Sequence, residues 1–110
     1  MKGEFEPGWI AHRILIEQPV VTPDEAGGGS IAWSPLATVW AAIEPVRAVV
    51  DTAADRIGSA ITHRVTIRHR SDVAAGMRIR HRGRLLAIAT VVDPDERRRF
   101  LLIEAREETP

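Results

Sequence analysis

The 110-residue chain has no cysteine and no tyrosine, only two phenylalanines, and one lysine, Lys2, among its fifteen basic residues. Without cysteine it has neither disulfides nor thiolate metal ligands, so its stability must come from packing. So few aromatic rings leave little with which to stack the bases of a single-stranded nucleic acid. No apolar stretch approaches the ~18 residues of a membrane span. The opening residues Glu4, Glu6, Pro7 and Gly8 stand where a secretion signal would carry its apolar run. These absences predict a protein made in the cytoplasm and not anchored in a membrane.

Catalytic patterns are missing as well. No serine lies in a Gly-x-Ser-x-Gly setting. Gly27-Gly28-Gly29 lacks the lysine and following helix of a phosphate-binding loop. Asp93, Asp95 and Glu96 sit on a proline turn followed at once by Arg97, Arg98 and Arg99, which suits a neutralised surface turn better than a general acid and base. Of the four histidines, His63 and His69 share a strand face, but about 20 Å apart, too far to hold one ion. Structural histidines, no metal, no cofactor and no enzymatic activity are the expectation.

What is present is a normal apolar fraction, 45%, and a charge that cancels overall but not locally. Residues 1–60 carry four bases against eight acids, and residues 61–110 carry eleven arginines against seven acids. Halves of opposite sign suit head-to-tail packing of like subunits, or a basic surface facing a polyanion; solvated charge on strand faces is the plainer alternative.

The hydropathy pattern is that of β-strands. His12–Gln18 is rich in β-branched residues and predicts a strand closed by Pro19, with Thr22–Ser30 a mobile loop. Thr38–Glu44 predicts a strand ended by Pro45, with Val39, Ala41 and Ile43 on one face and Trp40, Ala42 and Glu44 on the other. Trp40 is assigned to a core in preference to a subunit contact. Residues 46–60 break the rhythm, and Val49, Ala53 and Ile57 recur at helical spacing, which predicts a short helix or a long loop. Ile61–Arg70 alternates strictly, with Ile61, His63, Val65 and Ile67 on one face. Met77–Arg80, a tight turn at Arg82-Gly83, the apolar run Leu85–Val92 and Phe100–Arg106 complete the set. About six short strands in one domain, 1–110, with residues 1–9 a flexible extension, predict an all-β fold: a small β-barrel with the 46–60 loop or helix inserted between strands.

In order and spacing these blocks resemble the phage head–tail joining family, the head-completion, head-closure or stopper proteins, including their counterpart in gene transfer agents. The resemblance is carried by His12–Pro19; by Asp24–Gly28 with Trp33 and Ala37–Pro45; by Thr62–Arg68; by Met77-Arg78-Ile79 with Gly83–Ile88; and by Asp93–Arg99 with the final strand. It implies a subunit of a connector ring around the DNA channel, synthesised in the bacterial cytoplasm and housed in a virion or phage-like particle. About six subunits are favoured and about twelve are the alternative. Implied partners are further copies of the chain, an adaptor or portal-side protein, a tail-side protein and the double-stranded DNA passing through. The resemblance also implies that residues 46–60 face the channel, which makes Arg47, Asp51, Asp55 and Arg56 lumen candidates.

Independently of the resemblance, Arg64, Arg68, Arg70, Arg78, Arg80 and Arg82 form an arginine-rich stretch that can contact DNA or a neighbouring subunit. The competing reading is an OB- or SH3-like barrel that binds nucleic acid through those arginines.

Overall fold

Six strands follow one another in the chain: β1 (His12–Pro23), β2 (Gly29–Pro45), β3 (His63–Arg68), β4 (Arg78–His81), β5 (Arg84–Val92) and β6 (Phe100–Glu108). The computed structural model describes residues 10–25, 27–46 and 61–108. Every pairing is antiparallel, and the order β1-β2-β3-β6-β5-β4 closes on itself as a barrel. Closure occurs where Leu15, Ile16 and Glu17 pair with Arg80, Ile79 and Arg78.

Strict alternation explains the interior. Ile14 and Ile16 of β1, Ala41 of β2, Val65 and Ile67 of β3, Ile79 of β4, Leu86 and Ile88 of β5, and Leu101, Ile103 and Ala105 of β6 all bury their side chains in one cluster. A sheet of six strands must curve sharply to close. Register shifts at Ile16/Glu17 and at Ile88/Thr90 supply bends of the kind that β-bulges introduce. The β4–β5 hairpin turns on Arg82 and Gly83, both at positive φ (54° and 79°), the pairing that matches the right-handed twist of the flanking strands.

One pole of the barrel holds the β4–β5 turn, the C-terminal end of β6, and the ends of β2 and β3 from which segment 47–60 departs and returns. The opposite pole holds the β1–β2 hairpin, the β3–β4 connection and the β5–β6 turn. The predicted insertion 46–60 lies outside the described residues, Val46 excepted, and so does the extension 1–9.

Three expectations change. Pro19 does not close β1, and β2 begins well before Thr38: the two strands pair continuously from His12↔Ala41 to Pro23↔Gly29. The expected mobile loop Thr22–Ser30 is thus strand at both ends, and the turn occupies only the residues between Pro23 and Gly29. The reason is edge placement. Among the described residues, β1 beyond Glu17 pairs with β2 alone, and β2 meets β3 only from Ala41 onward. Pro19, Pro23 and Pro35 therefore lie on free edges, where a missing N–H is tolerated. The result is a two-stranded arm, residues 18–34, rising from the barrel wall.

The third change concerns Trp40, which is 53% exposed. It pairs with Arg13 on the outer face, and the guanidinium lies 5.0 Å from the indole centroid. Its neighbours Val39 and Ala41 take the inward positions, so strand parity outweighed side-chain size.

Ile67→Ala, at a fully buried site, is expected to cost about 2–5 kcal/mol. Trp40→Ala is expected to cost less than about 1.5 kcal/mol, since it loses a surface stack and little burial. Urea unfolding of the two variants, followed by circular dichroism, checks the ranking.

Candidate functional site

The predicted arginines do not line up as one basic track. Arg64 and Arg68 point outward from β3, and Arg64 Nε lies 3.9 Å from Glu104 on β6. Arg70, expected on the same strand face, instead lies past the end of β3, where it forms a two-pronged pair with Asp72 at 2.9–3.0 Å. That pairing holds the Asp72 carboxyl below its ordinary value, chiefly by hydrogen bonding. Arg82 is at the β4–β5 turn, at the other pole. Arg47, Asp51, Asp55 and Arg56 lie outside the described residues.

Arg78 and Arg80 converge on one acid that sequence reasoning passed over. Glu17, only 7% exposed, sits where the β1–β2 register shifts, and there it accepts from Arg78 Nε at 2.6 Å and from Arg80 Nε at 3.4 Å. Trp33, from the base of the arm, covers this pair, with its ring centroid 4.2 Å from the Arg78 guanidinium carbon. Burial pushes the Glu17 carboxyl up. The hydrogen bonds and positive charge of Arg78 and Arg80 outweigh that and hold it below its usual value. The buried acid, its two arginines and the covering indole fasten the arm to the barrel at the point of closure.

A second cluster lies at the opposite pole. His63, 6% exposed, has Nδ1 2.9 Å from Thr62 Oγ1 and Nε2 3.2 Å from Arg84 Nη2. Arg84 can only donate, so Nε2 accepts, and Nδ1 carries the proton that it gives to Thr62. The Thr62 hydroxyl in turn donates to the Ala105 carbonyl and accepts from the Glu107 amide, and Arg84 forks onto the Glu107 carboxylate at 2.7–2.9 Å. Burial, then the Arg84 charge, lowers the His63 pKa, and Glu107 only partly offsets this. Val46 N–H donates to Thr62 O at 2.9 Å, which places the cluster at the root of segment 47–60.

Among the described residues no group of His, Asp and Glu is arranged to hold a metal ion. His12 and His81 meet edge to face at 5.3 Å. Apart from Trp40, the exposed large apolar residues among the described ones are Val20, Val21 and Ile31 on the arm and Val92 at the end of β5. These patches, and the ion-pair clusters, make a surface suited to contact with other proteins.

Such a surface on a small closed antiparallel barrel suits an assembly-type protein, a role that the fold alone does not fix. The profile of the phage head completion protein family matches residues 5–108, and the chain belongs to that family. It is therefore a structural component of a phage or phage-like virion. No curated protein matches the chain. Similar solved structures include the following two. One is a chain of the virion of a native gene transfer agent particle, 24% identical with a TM-score of 0.68, the match covering 88% of this chain and 93% of that one. The other is protein SF1141 from Shigella flexneri 2a, 31% identical with a TM-score of 0.66, covering 89% and 92% respectively.

Two outcomes are expected. Glu17→Ala leaves Arg78 largely buried without its counter-charge and should cost about 3 kcal/mol, whereas the double change Glu17→Leu with Arg78→Leu should cost markedly less; urea midpoints of the two proteins decide this. His63 binds its proton more weakly folded than unfolded. Its contribution to stability is therefore complete above the unfolded value of ~6.5 and is lost as pH falls through the lower folded value. His63→Gln should remove that part of the pH dependence, seen by comparing unfolding midpoints of wild type and variant at about pH 7.5 and about pH 5.

Proposed function

We propose that the chain is a subunit of the connector ring that closes the filled head and receives the tail, surrounding the DNA channel between the portal or adaptor and the tail. The observation that carries this reading is the match to the head completion family over residues 5–108, on a barrel whose exposed apolar residues lie on opposed sides. β1 and β2 stand across the barrel from β6 and β5 in the closed strand order. A subunit with different patches on opposed sides is suited to a heterologous contact that closes into a ring.

In this reading further copies of the chain flank each subunit, with about six favoured and about twelve the alternative. An adaptor or portal-side protein and a tail-side protein bind the two poles, and segment 46–60, with Arg47, Asp51, Asp55 and Arg56, faces the channel. Mixed charge at that position lets DNA pass without holding it. The nucleic-acid-binding barrel draws less support, because Arg70, Arg78, Arg80 and Arg84 already pair with Asp72, Glu17 and Glu107.

Quantitative mass spectrometry of purified, disrupted particles tests the reading. About one ring's worth of copies per particle is expected. Absence from particles, together with salt-sensitive DNA binding by the isolated chain, would overturn it in favour of the nucleic-acid barrel.

A further inference from the structure

The arm bears its exposed residues in an ordered way. Val21 and Ile31 are a directly paired cross-strand couple, 63% and 61% exposed. By alternation they share a face with Pro19 and Trp33, and that face continues the outer wall over Glu17 and Arg78. Residues 18–34 contain no base, and their only charges are the acids Asp24 and Glu25 at the tip. The arm therefore runs from an apolar outer face to an acidic end.

The far side of the barrel carries a counterpart in the same order. Val92, 51% exposed, ends β5 and pairs with Leu102 of β6 on the outer wall. Just beyond it, towards the same pole as the arm, the β5–β6 turn is held rigid from within. Asp93 accepts from the Arg98 amide, Asp95 accepts from the Arg97 amide, and Asp95 is also paired with the Arg99 side chain. Glu96 and Arg98 sit at positive φ, and the side chains of Arg97 and Arg98 are exposed. This shoulder thus runs from an apolar residue to an outward pair of arginines.

We infer that the arm of one subunit lies across the β5–β6 shoulder of a second copy of this chain, with Val21 and Ile31 against Val92 and Leu102, and Glu25 against Arg97 and Arg98. Apolar residues meet apolar residues and the acidic tip meets the exposed Arg97 and Arg98, in a turn whose three acids and three arginines cancel overall, while the two surfaces stand on opposed sides of one barrel. The contact is therefore heterologous and repeats from subunit to subunit. It is made by side chains and not by strand addition on the β1 edge, because Pro19 and Pro23 interrupt that free edge of the arm. Each contact is small, so it holds chiefly where every subunit both gives and receives an arm. The inference rests on the ring reading above and specifies which surfaces form it.

Native cysteine is absent, so placed thiols report on this contact alone. Particles assembled with the Val21→Cys, Val92→Cys double variant are treated with a short bis-maleimide and run on a denaturing gel. A ladder extending beyond the dimer, absent from either single variant, is expected. Ring-level copy number without that ladder, or dimers from Val21→Cys alone, overturns the arm–shoulder contact and leaves the ring standing. A copy number below a ring for the wild-type chain overturns both. Should the double variant not enter particles, charge exchange decides the matter. Glu25→Arg, and Arg97→Glu with Arg98→Glu, should each lower incorporation at least about tenfold, and their combination should restore it; failure to restore overturns the contact.

Discussion

The barrel exists because β1 reaches β4, and that seam is short. Only Leu15, Ile16 and Glu17 pair with Arg80, Ile79 and Arg78, whereas β1 and β2 pair along the whole length of β1. Residues some sixty positions apart must meet there, at a loop-closure cost that local hairpins escape. Ile16 and Ile79, both fully buried, supply the apolar part of the seam, and Glu17 with Arg78 supplies the charged part on the outer face. Opening it would expose the edges of both strands and much of the isoleucine core. The placement of the arm, the curvature of the wall and the separation of the two poles all follow from this closure.

The arrangement explains how a chain with no catalytic pattern can still be specific. Its polar side chains pair with one another within the molecule: Arg70 with Asp72, Arg84 with Glu107, Arg78 and Arg80 with Glu17. These pairs consume charge that would otherwise form an undirected basic surface. Among the described residues, the exposed set then includes a few apolar residues on defined elements and charges at the turn tips. A virion component needs that economy, since its neighbours are many and crowded, and each wrong contact competes with assembly.

The interior was legible in the sequence because period two is unambiguous: Val65 and Ile67, or Leu101 and Ile103, can face only one way once their strands are set. The Arg82-Gly83 turn was equally readable from its residues. The arm was not, because Pro19 and Pro35 read as strand ends and the glycine run as a mobile loop. Proline stops a strand only where its N–H is needed, and whether a neighbour needs it is a property of topology. The β-branched stretch Val20-Val21-Thr22 and the β-branched Ile31, on either side of the turn, are the available sign of a hairpin. Trp40 was misplaced by its bulk although its parity with Val39 and Ala41 already set it outside. Glu17 offered no local clue, since its partners lie 61 and 63 residues further along the chain.

The seventeen residues of β2 have a mechanical consequence. At about 3.3 Å per residue the strand is a strut of about 55 Å, which runs from the arm along the barrel wall to the root of segment 47–60. Force applied to the arm loads β2 along its axis, so the ladder bonds to β1 and β3 share it in shear instead of parting one at a time. An extended strand cannot shorten to absorb a displacement. A push at Ile31 therefore passes along β2 towards Pro45, and the bend at Leu36, where the register shifts, is the place at which it can be absorbed.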